Sequence, residues 1–490
     1  MSVFKGLRAV LFVTTIVLNA FIYFYPNILN EASQCTWHKF SHSTFEMKST
    51  SGIADLLPPR WKELFLLNFP RFQDLEEDDN ESAYDKAGKV KDIHMLTFGD
   101  PQINGNWPLT KYIKRLDNYG NDYYLGHIYN IMLKRLHPTH VAVMGDLFSL
   151  QWIYDLEFYN RTHRFVERLF PRPDEYKQTV LDAWKHHQDY DWNTWLNDQM
   201  YMDKKDRFMS RSYEDVYDWV HPERKYPNTQ VPMFINLTGN HDIGYSGDAT
   251  WQHMARFEYL FGQDNYVITY NQGKPEEWRI VVLNSMTLEG PALQEEFIDF
   301  TWSFLDHLKT IANPLFKGST VLLTHIPFYK RDGLCADGPQ HRYYENYDRE
   351  PYKNGKLRSQ NHLTYETSQK VLDIVFPNAD KEGIILTGHD HVGCNNYYNY
   401  VDNEWVAEKT KSKASTRAPI REVVVKAMMG DYEGQTGLVT GSFNEETGHW
   451  AFEFSYCSFA IQHWWWATKV VTILLGFVSS LIFVKRSVKK

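Results

Sequence analysis

The sequence carries no basic stripe: its formal net charge is −9 at pH 7, with 52 Lys and Arg against 61 Asp and Glu. Nucleic-acid binding needs clustered positive charge, so that class of partner is excluded. No internal repeat is evident, so the 490 residues are not stacked copies of one unit. Cysteine is scarce, at four residues, but even in number, which fits disulfides in an oxidising compartment. No small-x-small cleavage motif clearly follows the apolar N-terminal run, so a spanning anchor is favoured there over a removed signal peptide.

That run covers residues 9–25, with Lys5 and Arg8 before it, Asn19 within it and Pro26 ending it. At the other end, residues 464–484 are long enough to cross ~30 Å of hydrocarbon. Trp464, Trp465 and Trp466 form an interfacial belt, Lys469 is near enough to snorkel, and Lys485, Arg486, Lys489 and Lys490 follow. The basic flanks lie outside both runs, which predicts both termini in the cytosol and the body between them in a lumen. The expected division is a cytosolic start at 1–8, a span at 9–25, a membrane-proximal segment with an acidic linker at 26–91, a lumenal body at 92–457, a span at 464–484 and a cytosolic tail at 485–490. The acidic stretch at 74–85 reads as a solvated linker.

Five short motifs follow one another along the body: Gly99-Asp100-Pro101-Gln102, Gly145-Asp146, Gly239-Asn240-His241-Asp242, Thr324-His325 and Gly388-His389-Asp390-His391. Each comes just after an apolar run predicted to be a buried strand, at 93–98, 141–144, 232–237, 319–323 and 383–386. The stretches 109–136 and 292–308 are predicted helices, and the alternation reads as α/β. In open α/β sheets ligands bind beyond the carboxyl ends of the strands, so the five loops are predicted to meet at one rim of a sheet.

Their chemistry is that of a two-metal hydrolase. Asp100 and Asp146 are hard anionic donors, and Asp146 is assigned as the bridge between two ions about 3.5 to 4 Å apart. His325, His389 and His391 offer imidazole nitrogens, which suit Mn, Fe or Zn better than Mg or Ca. Asn240 adds an amide oxygen without adding charge. His241 is predicted to be the general acid toward a leaving alkoxide, while the ions activate water and neutralise charge on the phosphorus oxygens. Taken singly, a Gly-Asp or a Thr-His pair is more often a turn or a satisfied polar group; the ordered recurrence selects the metal reading. His186-His187 has no partner motif and reads as a bystander.

The ordered set resembles the calcineurin-like metallophosphoesterase superfamily over residues 92–457. Further features are Thr324-His325-Ile326-Pro327-Phe328-Tyr329-Lys330 with Cys335 soon after, Ser368-Gln369-Lys370, and Cys394 behind the last motif. With Gly239-Asn240-His241-Asp242-Ile243-Gly244 and Arg256-Phe257-Glu258, they are similar to the membrane-bound branch that removes ethanolamine phosphate from GPI-anchor glycans. The resemblance implies an α/β calcineurin-like sandwich with a helical insertion, flanked by N- and C-terminal transmembrane helices. It implies metal ligands at Asp100, Gln102, Asp146, Asn240, His325, His389 and His391, with His241 catalytic and two divalent ions, taken as Mn2+. It further implies GPI-anchored proteins as substrate bearers, ER export cargo machinery as a partner and the endoplasmic reticulum membrane as the location.

Two positions depart from the superfamily pattern. Gln102 stands where an imidazole is usual, and Ser149 where a carboxylate often orients the acid histidine; Asp242 is the possible substitute for the latter. The Gln variant also occurs in the fungal branch, so it reads as tuning. Two rivals stay open: a metallophosphoesterase with another monoester or diester substrate, and a non-catalytic cargo-sorting protein.

Residues 151–231 are too long for an ordinary loop and are predicted to be a helical insertion or cap. A second excursion, 330–369, carries Tyr343, Tyr344, Tyr347 and Tyr352, which could stack on sugar rings or simply pack the loop. Asn80-Glu81-Ser82, Asn160-Arg161-Thr162 and Asn236-Leu237-Thr238 are glycosylation sequons, the third in a predicted buried strand. Cys335 and Cys394 each follow a metal loop, while Cys35 and Cys457 lie near the apolar ends; three pairings are possible and sequence does not choose among them.

Overall fold

The computed structural model describes residues 2–28, 35–42, 47–50, 52–74, 89–105, 110–186, 212–214, 232–346 and 349–487. The Asn80 sequon, His187, Tyr347, most of the acidic stretch and the later part of the insertion lie outside the described residues.

An apolar helix opens the chain, α1 (Ser2–Ile28), followed by α2 (Pro59–Asn68) and β1 (Ile93–Phe98). Then come α3 (Tyr112–Leu136), β2 (His140–Val143), α4 (Asp155–Arg164), α5 (Asp174–His186), β3 (Met233–Asn236), α6 (Asn240–Ile243), α7 (Trp251–Phe261), β4 (Tyr266–Tyr270) and β5 (Trp278–Val282). Next are α8 (Glu295–His307), β6 (Ser319–Leu323), β7 (His341–Tyr343), β8 (Leu357–Gln360), α9 (Tyr365–Val375) and β9 (Gly383–Thr387). Five strands, β10 (Cys394–Val401), β11 (Glu404–Glu408), β12 (Ile420–Val424), β13 (Thr436–Asn444) and β14 (His449–Cys457), precede the last helix, α10 (Gln462–Ser487).

The strands form two large sheets, ordered β14-β13-β1-β2-β3 and β11-β10-β12-β9-β6-β5-β4, with β7 and β8 as a separate pair. In the first, β1, β2 and β3 run parallel. In the second, β5, β6, β9 and β12 do. Side chains alternate across a strand, and here both faces are covered. Met95, Ala142, Met144, Ile235, Ile280, Val321, Leu323, Ile384 and Leu386 fill one apolar core. Their neighbours Leu96, Phe98, Val141, Val143, Leu322 and Ile385 belong to the other, with Leu125, Ile128 and Met132 of α3. That double burial is why these segments read as unbroken apolar runs.

The five motif-bearing strands match the predicted ones to within a residue or so. One expectation needs correcting: the motifs do not share the rim of a single sheet. The loops after β1, β2 and β3 come from one sheet and those after β6 and β9 from the other, so the site sits where two rims converge. Face-to-face packing of the sheets makes that convergence possible.

The helices α1 and α10 each contain a stretch long and apolar enough to cross a membrane. Pro26 does not stop the first, which runs on to Ile28. A proline at that place has no N–H for the carbonyl four residues back, that of Ile22, which hydrogen-bonds with His127 instead. Cys35 bonds to Cys457 and Cys335 to Cys394. The described start of the insertion is helical, in α4 and α5. Asn160 lies within α4, half-buried, with its amide on Glu157 at 3.3 Å and with Arg161 and Thr162 buried. This corrects the reading of that sequon as an acceptor, because a glycan needs an open surface loop.

Candidate metal centre

Tight turns after the strands throw the ligands inward. Asp100, Gln102, Asp146 and His389 all adopt positive φ, at 37°, 41°, 49° and 74°. Such conformations cost about 1 to 3 kcal/mol each and persist where surrounding structure enforces them. The neighbouring backbone must also approach closely. A Cβ on Gly388 would stand 2.7 Å from the Met144 carbonyl and 2.9 Å from Asp100 Oδ1, and one on Gly239 would collide with Asp146.

Asp100, Asp146 and His325 are buried, with potential ligand atoms within 4.8 Å of one another. His325 Nδ1 sits 2.6 Å from the Met144 carbonyl, and His389 Nε2 sits 3.0 Å from the Gln360 carbonyl. A carbonyl only accepts, so each of those nitrogens carries the proton and the other ring nitrogen presents a lone pair. The free nitrogens point at one atom: Asn240 Oδ1 is 3.3 Å from His325 Nε2 and 3.0 Å from His389 Nδ1. Asp146 Oδ1 lies 3.5 Å from His325 Nε2. Four lone-pair donors thus face one another with no proton among them, an arrangement that a cation satisfies. Main-chain carbonyls fixing imidazole tautomers is the usual support of metal-ligating histidines.

Asp146 also reaches the other half of the site. Its Oδ2 accepts from Gln102 Nε2 at 3.1 Å, and the same Gln102 nitrogen meets His391 Nε2 at 3.2 Å. His391 Nε2 is 3.8 Å from Asp100 Oδ2, while His391 Nδ1 is 3.2 Å from the Tyr432 hydroxyl. Asp100 Oδ1 is buried without a hydrogen-bond partner. A buried orphan carboxylate oxygen beside a second carboxylate is a strong demand for positive charge, so the residues present fit divalent cations on both sides of Asp146. Gln102 is brought to the site but turns its amide nitrogen, a donor, toward it; ligation would use the oxygen.

The protonation energetics agree. Burial, and then the charge of Asp146, pushes the Asp100 carboxyl well above the usual carboxylate range. Asp146 is buried too, which alone would raise it, but the imidazoles of His325 and His241 bring it below that range. Burial pushes His389 down to about 3 and lowers His325 and His391, keeping the imidazoles neutral for ligation.

His241 stands on the open side, 35% exposed, with its backbone N–H on Asp146 Oδ1 at 2.8 Å and its Nε2 3.8 Å from Asp146 Oδ2. Asp242 does not orient it. That carboxylate accepts from the backbone N–H of Gly239 at 2.9 Å and of Phe148 at 3.1 Å, stapling two motif loops together. Ser149 accepts from Arg161 Nη1 at 3.2 Å, and Arg161 pairs with Glu157 at 2.8 Å, so a buried ion pair lies beside the position where a carboxylate was expected. Tyr344 donates to Asp248 at 2.7 Å and is structural, whereas Tyr343 and Tyr352 are exposed. Sequence reading missed Met144, Gln360 and Tyr432: the first two act through main-chain carbonyls, which leave no mark in side-chain identity, and Tyr432 stands in an unremarkable turn.

No protein-family model matches the chain. Protein TED1 from Saccharomyces cerevisiae is 46% identical over 488 residues, covering 96% of this chain and 97% of the relative. Metallophosphoesterase 1 from Xenopus laevis is 23% identical over 358 residues, covering 67% of this chain and 66% of its own length. Among solved structures, a 5'-nucleotidase precursor from Thermus thermophilus covers 80% of this chain and 60% of its own, at 10% identity and a TM-score of 0.28. With the ligand geometry, the two-sheet α/β fold and the two sequence relatives taken together, the chain belongs to the calcineurin-like metallophosphoesterase family and is a phosphoesterase.

Proposed function

We propose that this protein is a dinuclear, Mn-dependent phosphodiesterase of the endoplasmic reticulum membrane. It removes ethanolamine phosphate from a mannose of GPI-anchor glycans and so supports export of GPI-anchored proteins. The observation that carries the hydrolytic reading is the convergence of Asp146 Oδ1, Asn240 Oδ1, His325 Nε2 and His389 Nδ1 as mutually facing lone-pair donors. Asp146 serves both halves of the site, with Asp100, Gln102 and His391 on one side and Asn240, His325 and His389 on the other. Bound there, divalent ions would supply an activated water and neutralise charge on the phosphoryl oxygens.

The chain's own groups do the rest. Buried carboxylates and neutral imidazoles hold the site rigid, and Asn240 limits its negative charge so that a phosphodiester is still attracted. His241, half open to solvent, holds a proton at Nε2 for the departing alkoxide. The GPI substrate and the export role are supported by the motif resemblance, including Thr324 to Lys330 and Ser368-Gln369-Lys370. Lumenal placement of the body is supported by the basic flanks of α1 and α10.

Mass spectrometry of GPI glycans from cells lacking the protein is the test. Accumulation of glycans retaining ethanolamine phosphate on one mannose is expected, and that mannose is then identified. An unchanged glycan profile overturns the substrate.

A further inference from the structure

The two apolar helices lie side by side and antiparallel. Phe21 of α1 meets Trp464 of α10 with ring centroids 5.4 Å apart, while at the opposite end Lys485 Nζ lies 5.3 Å over the Phe4 ring. The first turns of one helix therefore adjoin the last turns of the other. That shared end gathers Lys5, Arg8, Lys485 and Arg486, and neither helix contains an Asp or a Glu. Among the described residues no carboxylate pairs with any of the four. A cleft of about 430 Å³ opens there, walled by Arg8 on one helix and by Ser479, Ser480, Ile482, Phe483 and Arg486 on the other.

We infer that this cleft binds the headgroup of an anionic phospholipid, with Arg8 and Arg486 on its phosphate. Planar guanidinium groups match phosphate oxygens in pairs. Ser479 adds a hydroxyl to the wall, while the Ser480 hydroxyl donates to the Gly476 carbonyl at 2.9 Å and is left only as an acceptor, and Ile482 and Phe483 offer an apolar floor to the start of the acyl chains. Charge complementarity selects an anion. Position selects a lipid, because the cleft lies at the ends of two helices of membrane length, where headgroups sit, and basic pockets between such helices hold acidic headgroups. The inference concerns the helix pair alone and stands apart from the hydrolase reading.

The test uses the full chain in nanodiscs of phosphatidylcholine containing a minor fraction of phosphatidylserine, with lipid retained by the protein after detergent extraction measured by mass spectrometry. Retained lipid is expected to be enriched in phosphatidylserine over the surrounding bilayer. Each arginine contributes about a fivefold preference. An Arg8→Gln/Arg486→Gln double variant should lose the enrichment, and an Arg8→Lys/Arg486→Lys variant, which keeps the charge but not the paired contacts, should keep only part of it. Flotation with liposomes checks that each variant still inserts, and release of the wild type from membranes by alkaline carbonate alone overturns the proposal. Retention of both lipids in bilayer proportion overturns it, as does undiminished enrichment in the glutamine variant. Displacement of the lipid by millimolar inorganic phosphate would assign the cleft to a soluble anion instead.

Discussion

Asn240 Oδ1 and His389 Nδ1 stand 3.0 Å apart as two acceptors, because the other nitrogen of His389 spends its proton on the Gln360 carbonyl. Two lone pairs that close are repulsive until a cation lies between them.

The Asn240→Ala variant is therefore expected to fold, to bind substoichiometric metal and to lose diester hydrolysis by about 100-fold or more. Elemental analysis beside a diesterase assay checks this. Full metal content with wild-type rates would mean that the amide is not a ligand.

Replacing His241 by Ala should leave metal content intact and slow turnover by about 10²- to 10⁴-fold on a diester with a poor, alkoxide-like leaving group. Its ring is 35% exposed and lies outside the four-atom cluster. With a nitrophenolate leaving group, which departs without a proton, the loss should shrink. Equal losses on both substrates would remove the acid role.

Lys330 and Glu422 form a fully buried ion pair at 2.5 Å, and Glu422 also receives the Phe328 N–H at 2.9 Å and the Tyr398 hydroxyl at 3.1 Å. Burial pushes the Lys330 ammonium below its ordinary range, and the Glu422 carboxylate opposes that shift. Lys330→Met should cost about 3 to 5 kcal/mol by leaving a lone buried carboxylate, and adding Glu422→Leu should recover much of that. Chemical denaturation of the single and double variants decides it; additive losses would show that the two residues are not coupled.

His140 is fully buried between Thr139 Oγ1 at 2.8 Å and the Tyr270 hydroxyl at 3.1 Å, and burial pushes its pKa down to about 3. The unfolded imidazole titrates near 6.5, so between those values the unfolded chain binds a proton that the folded one refuses. Stability is full above about pH 6.5 and falls as pH drops toward 3, with a slope approaching about 1.4 kcal/mol per pH unit from this residue. His140→Gln should flatten the acid limb of the stability profile by that amount, and an unchanged limb would refute the assignment.

Much of the site was legible because each ligand follows a strand buried on both faces. Runs such as residues 93–98 and 319–323 announce themselves, and the residue just beyond them must lie at a rim. The pairing of two sheets was not legible, since β10 to β14 are strands whose mixed polarity gives no such signal: in β10, Asn395 is exposed between buried Cys394 and Asn396. The role of Asp242 was misread because its neighbour in sequence is His241, whereas its hydrogen bonds go to Gly239 and Phe148. Likewise Lys330 and Glu422, far apart in the chain, meet only once β12 lies beside β9, and no local pattern foretells that.

The bond from Cys35 to Cys457 joins positions 422 residues apart, one following the first apolar helix and the other preceding the last. It closes the whole catalytic body into a covalent ring at its base. A protease cutting a surface loop anywhere within that ring would release nothing: both fragments stay fastened to both helices and would separate on a gel only after a thiol is added.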